Sequence, residues 1–179
     1  KRTIGIGPRK NKTFKVECPT TYLSTITFEN GSVIRLTLSF DVIAHQRNHI
    51  ELYGDKGSMI VPDPNMFGGS VYTCKKLGDP WKEHKTSKMP LGKINIRSQS
   101  SRANESSTNA NYRGAGLAEL AYSIQNKKIN KCNGELSLHV LDIIQSTMTA
   151  CKNGKVQLIK TTCKKPQPFS LKEVRKILR

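Results

Sequence analysis

The chain has 179 residues, 36% of them hydrophobic, with a formal net charge of +17. That length suits one sizeable domain, able to bury roughly 70% of its extended surface. No apolar run approaches the roughly 20 residues that cross a bilayer, so a membrane partner is not expected.

Residues 1–13 are basic and turn-rich. Gly5-Ile6-Gly7 resembles the start of a dinucleotide loop, but Pro8 follows and Lys10 stands where the third glycine belongs. Phe14–Glu17 is a short strand candidate. From Thr21 two β-patterned runs meet at Glu29-Asn30-Gly31. In the second run Ile34, Leu36, Leu38, Phe40 and Val42 alternate with polar residues and Val33; in the first the apolar set is Tyr22, Ile26 and Phe28. A two-residue turn would set Ile26 against Arg35 and mix the faces. A three-residue turn sets Ile26 against Ile34 and Tyr22 against Leu38, so the pattern selects it. Gly31 then takes the left-handed position. The opposite face carries Leu23, Thr25, Thr27, Val33, Arg35 and Thr37, which is neither a good core nor an ordinary charged surface.

A second hairpin turns at Gly54-Asp55-Lys56-Gly57. Pro62, Pro64, Gly68 and Gly69 then force a structured loop, and Ser70–Lys75 is another strand. Residues 75–113 are mostly polar, and 97–111 read as a disordered loop or a lid. Leu117, Leu120, Ala121 and Ile124 predict a helix over 114–126. The strongest helix pattern is 134–153, with Asn133 as cap and Gly154 as stop. Its apolar arc of Leu136, Val140, Leu141, Ile143, Ile144, Met148, Ala150 and Cys151 predicts burial against a sheet. His139 and Asp142 sit at the edge of that arc and are read as a structural hydrogen-bonded pair rather than a catalytic one. Lys155–Lys160 alternates like a returning strand, and Ser170 with Glu173 forms a capping box opening a last helix. The sum is α+β: an open, largely antiparallel sheet with helices packed on one face and the other available for oligomerisation.

Little chemistry accompanies this pattern. There is no P-loop, nucleophile elbow or complete dinucleotide fingerprint. His45 and His49 lie in a strand pattern with no third ligand, so no metal site is expected. The five cysteines show no Cys-x-x-Cys spacing, and an odd count without a framework suits a reducing cytoplasm. The charge raises nucleic acid as a partner. Scattered lysines and an aromatic content of 6% argue against it as the main one.

Several stretches, in order, resemble one family. They are Phe28-Glu29-Asn30-Gly31, Ile50 to Gly57, Val61 to Gly69 with its Asp63-Pro64-Asn65 and Phe67-Gly68-Gly69, Arg113 to Ala121, and Leu138 to Asp142. Together they resemble the C-terminal domain of the glucose-fructose oxidoreductase, inositol dehydrogenase and rhizopine-catabolism (Gfo/Idh/MocA) oxidoreductases. The resemblance implies that 1–179 is a single substrate-side and oligomerisation domain, with NAD or NADP and the catalytic residues held by an N-terminal Rossmann domain absent from this chain. No catalytic, cofactor-binding or metal residue is then expected here. It implies a sugar, inositol or related polyol as substrate, with His45, Gln46, Arg47 and Arg113 as lining residues. It further implies a homodimer or homotetramer through Thr25, Thr27, Val33, Arg35 and Thr37. A free-standing basic module that binds nucleic acid, and an inactive oligomerisation scaffold, are the alternatives.

Overall fold

The computed structural model describes residues 1–94 and 112–178; the loop or lid expected over 97–111 lies outside them. Among the described residues the architecture is α+β, with three α-helices and antiparallel open sheets. The chain divides into two compact units. Unit 1 comprises Lys1–His45 and Leu138–Thr162, and unit 2 Gln46–Ser137 and Cys163–Arg179.

Unit 1 is built on a hairpin of β3 (Thr21–Thr27) and β4 (Val33–Ser39). Its register is the one that hydrophobic alternation selects: Ile26 faces Ile34 and Tyr22 faces Leu38. Phe28 and Ser32 close a three-residue turn, in which Gly31 has φ 83°. Two short strands, β1 (Arg2–Thr3) and β2 (Thr13–Phe14), form a separate ribbon, so the strand expected from Phe14 is shorter and begins one residue earlier. The ribbon is tied to the end of β4. Arg2 donates to Asp41 Oδ1 at 2.7 Å and to the Phe40 carbonyl, and Thr20 and Thr21 donate to Asp41 Oδ2. These donors, the Thr20 hydroxyl first, hold the Asp41 carboxyl below its usual range.

On the hairpin, Tyr22, Ser24, Ile26 and Leu36 are half-buried, while the residues between them are exposed. The long helix α2 (Gly134–Asn153) brings Cys151 Sγ to 3.9 Å from the Leu23 carbonyl. Its N-cap is Asn133, whose Oδ1 accepts from Leu136 N at 3.0 Å. Burial reaches Leu136, Ile143 and Ala150, but Val140, Leu141, Ile144 and Met148 stay 43–50% exposed, so only part of the expected arc is covered. The cause is width. Two strands lie about 5 Å apart, and a helix with its side chains is about 10 Å across.

Lys155–Lys160 does not form the strand that its alternation predicts. Asp142 captures the end of this segment instead. Its Oδ2 accepts from Lys160 N, Thr161 N and Thr161 Oγ1 at 3.0, 3.0 and 2.9 Å, and Oδ1 accepts from Ser146 Oγ. His139 does not bond Asp142 directly. Thr161 gives its proton to Asp142, so it must accept from His139 Nδ1–H, at 3.0 Å. The Thr161 hydroxyl, followed by the backbone donors, lowers the Asp142 pKa. A carboxyl lowered in the folded state stabilises fully above its unfolded pKa, about 3.9, and the contribution is lost as pH falls through the folded value. Amide exchange protection at Lys160 and Thr161 should therefore be flat from neutrality to about pH 4 and collapse below it. Asp142→Asn should remove protection already at neutral pH; a variant that retains it would refute the clamp.

Unit 2 holds a four-stranded antiparallel sheet in the order β5 (Ile50–Gly54), β6 (Gly57–Val61), β7 (Ser70–Cys74), β8 (Lys82–Lys85). The β5–β6 turn is Asp55-Lys56, as expected, with Gly54 paired to Gly57. The same unit holds α1 (Ala115–Gln125) and the short α3 (Leu171–Ile177), which make contact with each other. Ser170 and Glu173 complete the capping box of α3 in both directions, at 2.7 and 3.2 Å. The most buried residues described on α1 are Ala115, Glu119 and Ser123, one turn apart. Glu119 Oε1 accepts from Ser123 Oγ and from Lys131 N, at 3.0 and 3.1 Å, and so fixes the chain leaving α1. Lys131 also bridges outward: its Nζ reaches the Gln167 carbonyl, Glu173 and the Phe169 ring.

Candidate functional site

The most constrained segment of unit 2 is the loop from Pro62 to Gly69. Asp63 begins it by accepting from Asn65 N at 2.9 Å, and Pro64–Met66 follows as one tight turn. Proline at the first position suits this, since its missing N–H would have had no partner. Phe67 then takes φ 66° and ψ −75°, and Gly68 N donates to Met66 O at 2.9 Å. These are the marks of the positive-φ γ-turn, the rarer and more strained of the two γ-turn forms. The strain is held by what surrounds it. Gly68 lies so close to the next loop that a Cβ would fall 2.2 Å from the Gly92 carbonyl. Thr86 Oγ1 accepts from Gly69 N at 3.1 Å and shares its one proton between the Gly69 and Gly92 carbonyls, at 2.7 and 2.8 Å. The result aims the Phe67 ring at Tyr112, with centroids 5.2 Å apart.

This loop links two sets of residues singled out by the sequence. At its start, Asp63 Oδ2 lies 4.0 Å from His49 Nε2, at the entry of β5 where Gln46 and Arg47 stand. At its far end Phe67 packs on Tyr112, the neighbour of Arg113. Gln46, Arg47 and Arg113 are all exposed, as is His45, the last residue of its stretch in unit 1.

Just beyond Gln46 and Arg47 in the chain is a group that sequence reasoning missed. Glu51 on β5 accepts from Asn48 Nδ2 at 2.8 Å through Oε1 and from the Tyr53 hydroxyl at 3.0 Å through Oε2. The Asn48 bond, then the Tyr53 bond, lowers the Glu51 pKa, and the same contact raises that of Tyr53. Strand alternation was the available signal, since Glu51 and Tyr53 share a face.

The residues expected at an oligomer contact occupy one face of the β3–β4 hairpin. Thr25 pairs with Arg35, Thr27 with Val33 and Leu23 with Thr37, and all six are exposed. Among the described residues no group of three His, Cys, Asp or Glu side chains could hold a metal ion. No described helix is long and apolar enough to cross a membrane.

Fold and site thus define an α+β domain with a braced loop between its polar β5 entry and Tyr112. The model of the oxidoreductase family, C-terminal alpha/beta domain, matches residues 6–158. The chain belongs to that family. No curated protein and no solved structure matches it.

Proposed function

We propose that this chain is the substrate-side and oligomer-forming domain of an NAD(P)-dependent oxidoreductase that acts on a sugar, an inositol or a related polyol in the cytoplasm. The observation that carries the reading is the family match across residues 6–158. The described residues themselves do not fit a nicotinamide dinucleotide. Every strand pair among them is antiparallel, whereas a dinucleotide fold needs parallel strands joined by a helix whose N-terminus meets the pyrophosphate. Cofactor and catalytic groups are therefore assigned to a part of the protein outside these residues. This domain contributes hydrogen-bonding groups from Gln46, Arg47 and Arg113, with His45 nearby in sequence. The Thr25, Thr27, Val33, Arg35 and Thr37 face forms the contact in a dimer or tetramer, where isologous pairing would bury it.

The test is made on the full reading frame and on the 179-residue chain side by side. The whole protein should oxidise a polyol with reduction of NAD or NADP and should sediment as a dimer or larger. The shorter chain should neither turn over a polyol nor bind either nicotinamide cofactor. Calorimetric binding of the cofactor by the shorter chain, or a whole protein inert towards polyols, would overturn the assignment.

A further inference from the structure

One face of the four-stranded sheet carries a row of side chains that the family-derived site does not use. Glu51 on β5 lies opposite Ile60 on β6, Ile60 opposite Tyr72 on β7, and Tyr72 opposite Glu83 on β8. Residues directly opposite in antiparallel strands share a face, so this row crosses the whole sheet. Tyr53 lies on the same face, two residues along β5 from Glu51. Ile60 is half-buried, Tyr72 is 37% exposed and Tyr53 is 75% exposed. The face therefore has an apolar floor, two aromatic rings and a carboxylate at its β5 edge.

Glu51 is not idle. Each of its oxygens already takes one hydrogen bond, from Asn48 and from Tyr53. A carboxylate offers about four acceptor sites, so about two remain, one on each oxygen, in a geometry already fixed by the protein's own donors. Fixing the group in advance removes part of the ordering cost of binding. Two adjacent hydroxyls of a ligand match such a pair of acceptors. The same ligand needs an apolar surface to lie on, which C–H groups of a sugar or cyclitol ring offer to Ile60 and to the negative faces of tyrosine rings. Tyr72 is two strands from Glu51, roughly 9.5 Å, leaving Ile60 as the floor between them.

We infer that Glu51, positioned by Asn48 and Tyr53 above Ile60 and Tyr72, recognises a vicinal diol of an uncharged sugar or polyol. The ligand class is taken from the proposed function; the site and its residues are additional to it. Glu51 acts by binding and orientation, held in place by Asn48 and Tyr53.

The test is a heteronuclear NMR titration of the 179-residue chain with myo-inositol. Saturable shifts are expected at Asn48, Leu52, Tyr53 and Tyr72. Glu51→Ala should weaken binding by at least about tenfold, the loss of roughly one charged hydrogen bond. Glu51→Gln, which keeps one carbonyl acceptor, should lose less. Tyr53→Phe should lose less than Tyr53→Ala, because the ring remains. Both Glu51 variants should fold, as the side chain is exposed, and unchanged spectra away from β5 would verify it. Equal affinity in Glu51→Ala, or no saturable shift in the unaltered chain, overturns the inference. So does a change of oligomeric state on Glu51→Ala without a change in inositol affinity, since the face would then be occupied by a second copy. Failure of the oxidoreductase reading has a different signature: inositol bound at Glu51, but no NAD(P)-dependent turnover by the whole protein.

Discussion

Replacing Gly92 with alanine is expected to cost about 3 kcal/mol of stability. The added Cβ would fall 1.9 Å from the Thr86 carbonyl oxygen and 3.0 Å from that of Met89. Both are backbone atoms of a doubly closed turn, in which Met89 N donates to Thr86 O and Gly92 N to Met89 O. Neither can step aside as a flexible side chain would, so the turn must open. Opening it separates Gly92 from the Thr86 hydroxyl, the same hydroxyl that holds Gly69. The γ-turn at Phe67 then loses its brace, and the contact between Phe67 and Tyr112 should go with it. Urea unfolding read separately at the Tyr112 environment and by far-UV circular dichroism checks this. Gly116→Ala is the control, with nothing within 4 Å of the new methyl, and it should be neutral or slightly stabilising. An unchanged midpoint in Gly92→Ala would mean that the two loops do not approach as described.

Glu119→Ala is expected to cost about 2 kcal/mol. The side chain is only 6% exposed, and its loss leaves the Ser123 hydroxyl and the Lys131 amide without their acceptor. Glu119→Gln keeps a carbonyl oxygen of the same reach and should recover most of the loss. If glutamine is as damaging as alanine, the role of Glu119 depends on more than these two bonds. The effect should spread beyond α1, because Lys131 carries the connection to Glu173 on α3.

These two residues differ in how visible they are from sequence. Glu119 stands in a helical pattern, but its inward aim depends on Lys131 N, twelve residues on, and no periodicity encodes that. Gly92 reads only as a turn residue. The first hairpin was legible to the residue pair, because a one-residue slip would have exchanged its faces. The α2 cap and the α3 capping box were legible for a similar reason, as each is a local bond between side chain and backbone. β8 was not: Lys82-Glu83-His84-Lys85 has no apolar alternation, and it is a strand only because β7 offers an open edge. Lys155–Lys160 had the alternation but pairs with no described strand, and Asp142 takes only the amide at its end, Lys160, with that of Thr161. At the candidate site, resemblance pointed to His45, Gln46, Arg47 and Arg113. Glu51 lay within the matching stretch without being singled out, and the positive φ of Phe67 runs against the propensity of its residue type.

The composition of β8 has a further consequence for the behaviour of the chain in concentrated solution. An outermost strand offers a row of unpaired amides and carbonyls on which another molecule's strand could grow, the first step of fibril-like association. Lys82 and Lys85 point to opposite faces of that strand, and all four of its residues are exposed. Whichever face an incoming strand registers on, it must crowd a hydrated ammonium group. The excess of positive charge, which tells little about ligands, thus acts as a guard against self-templating at this edge. Substituting both lysines with threonine should convert a well-dispersed chain into one whose turbidity rises with concentration.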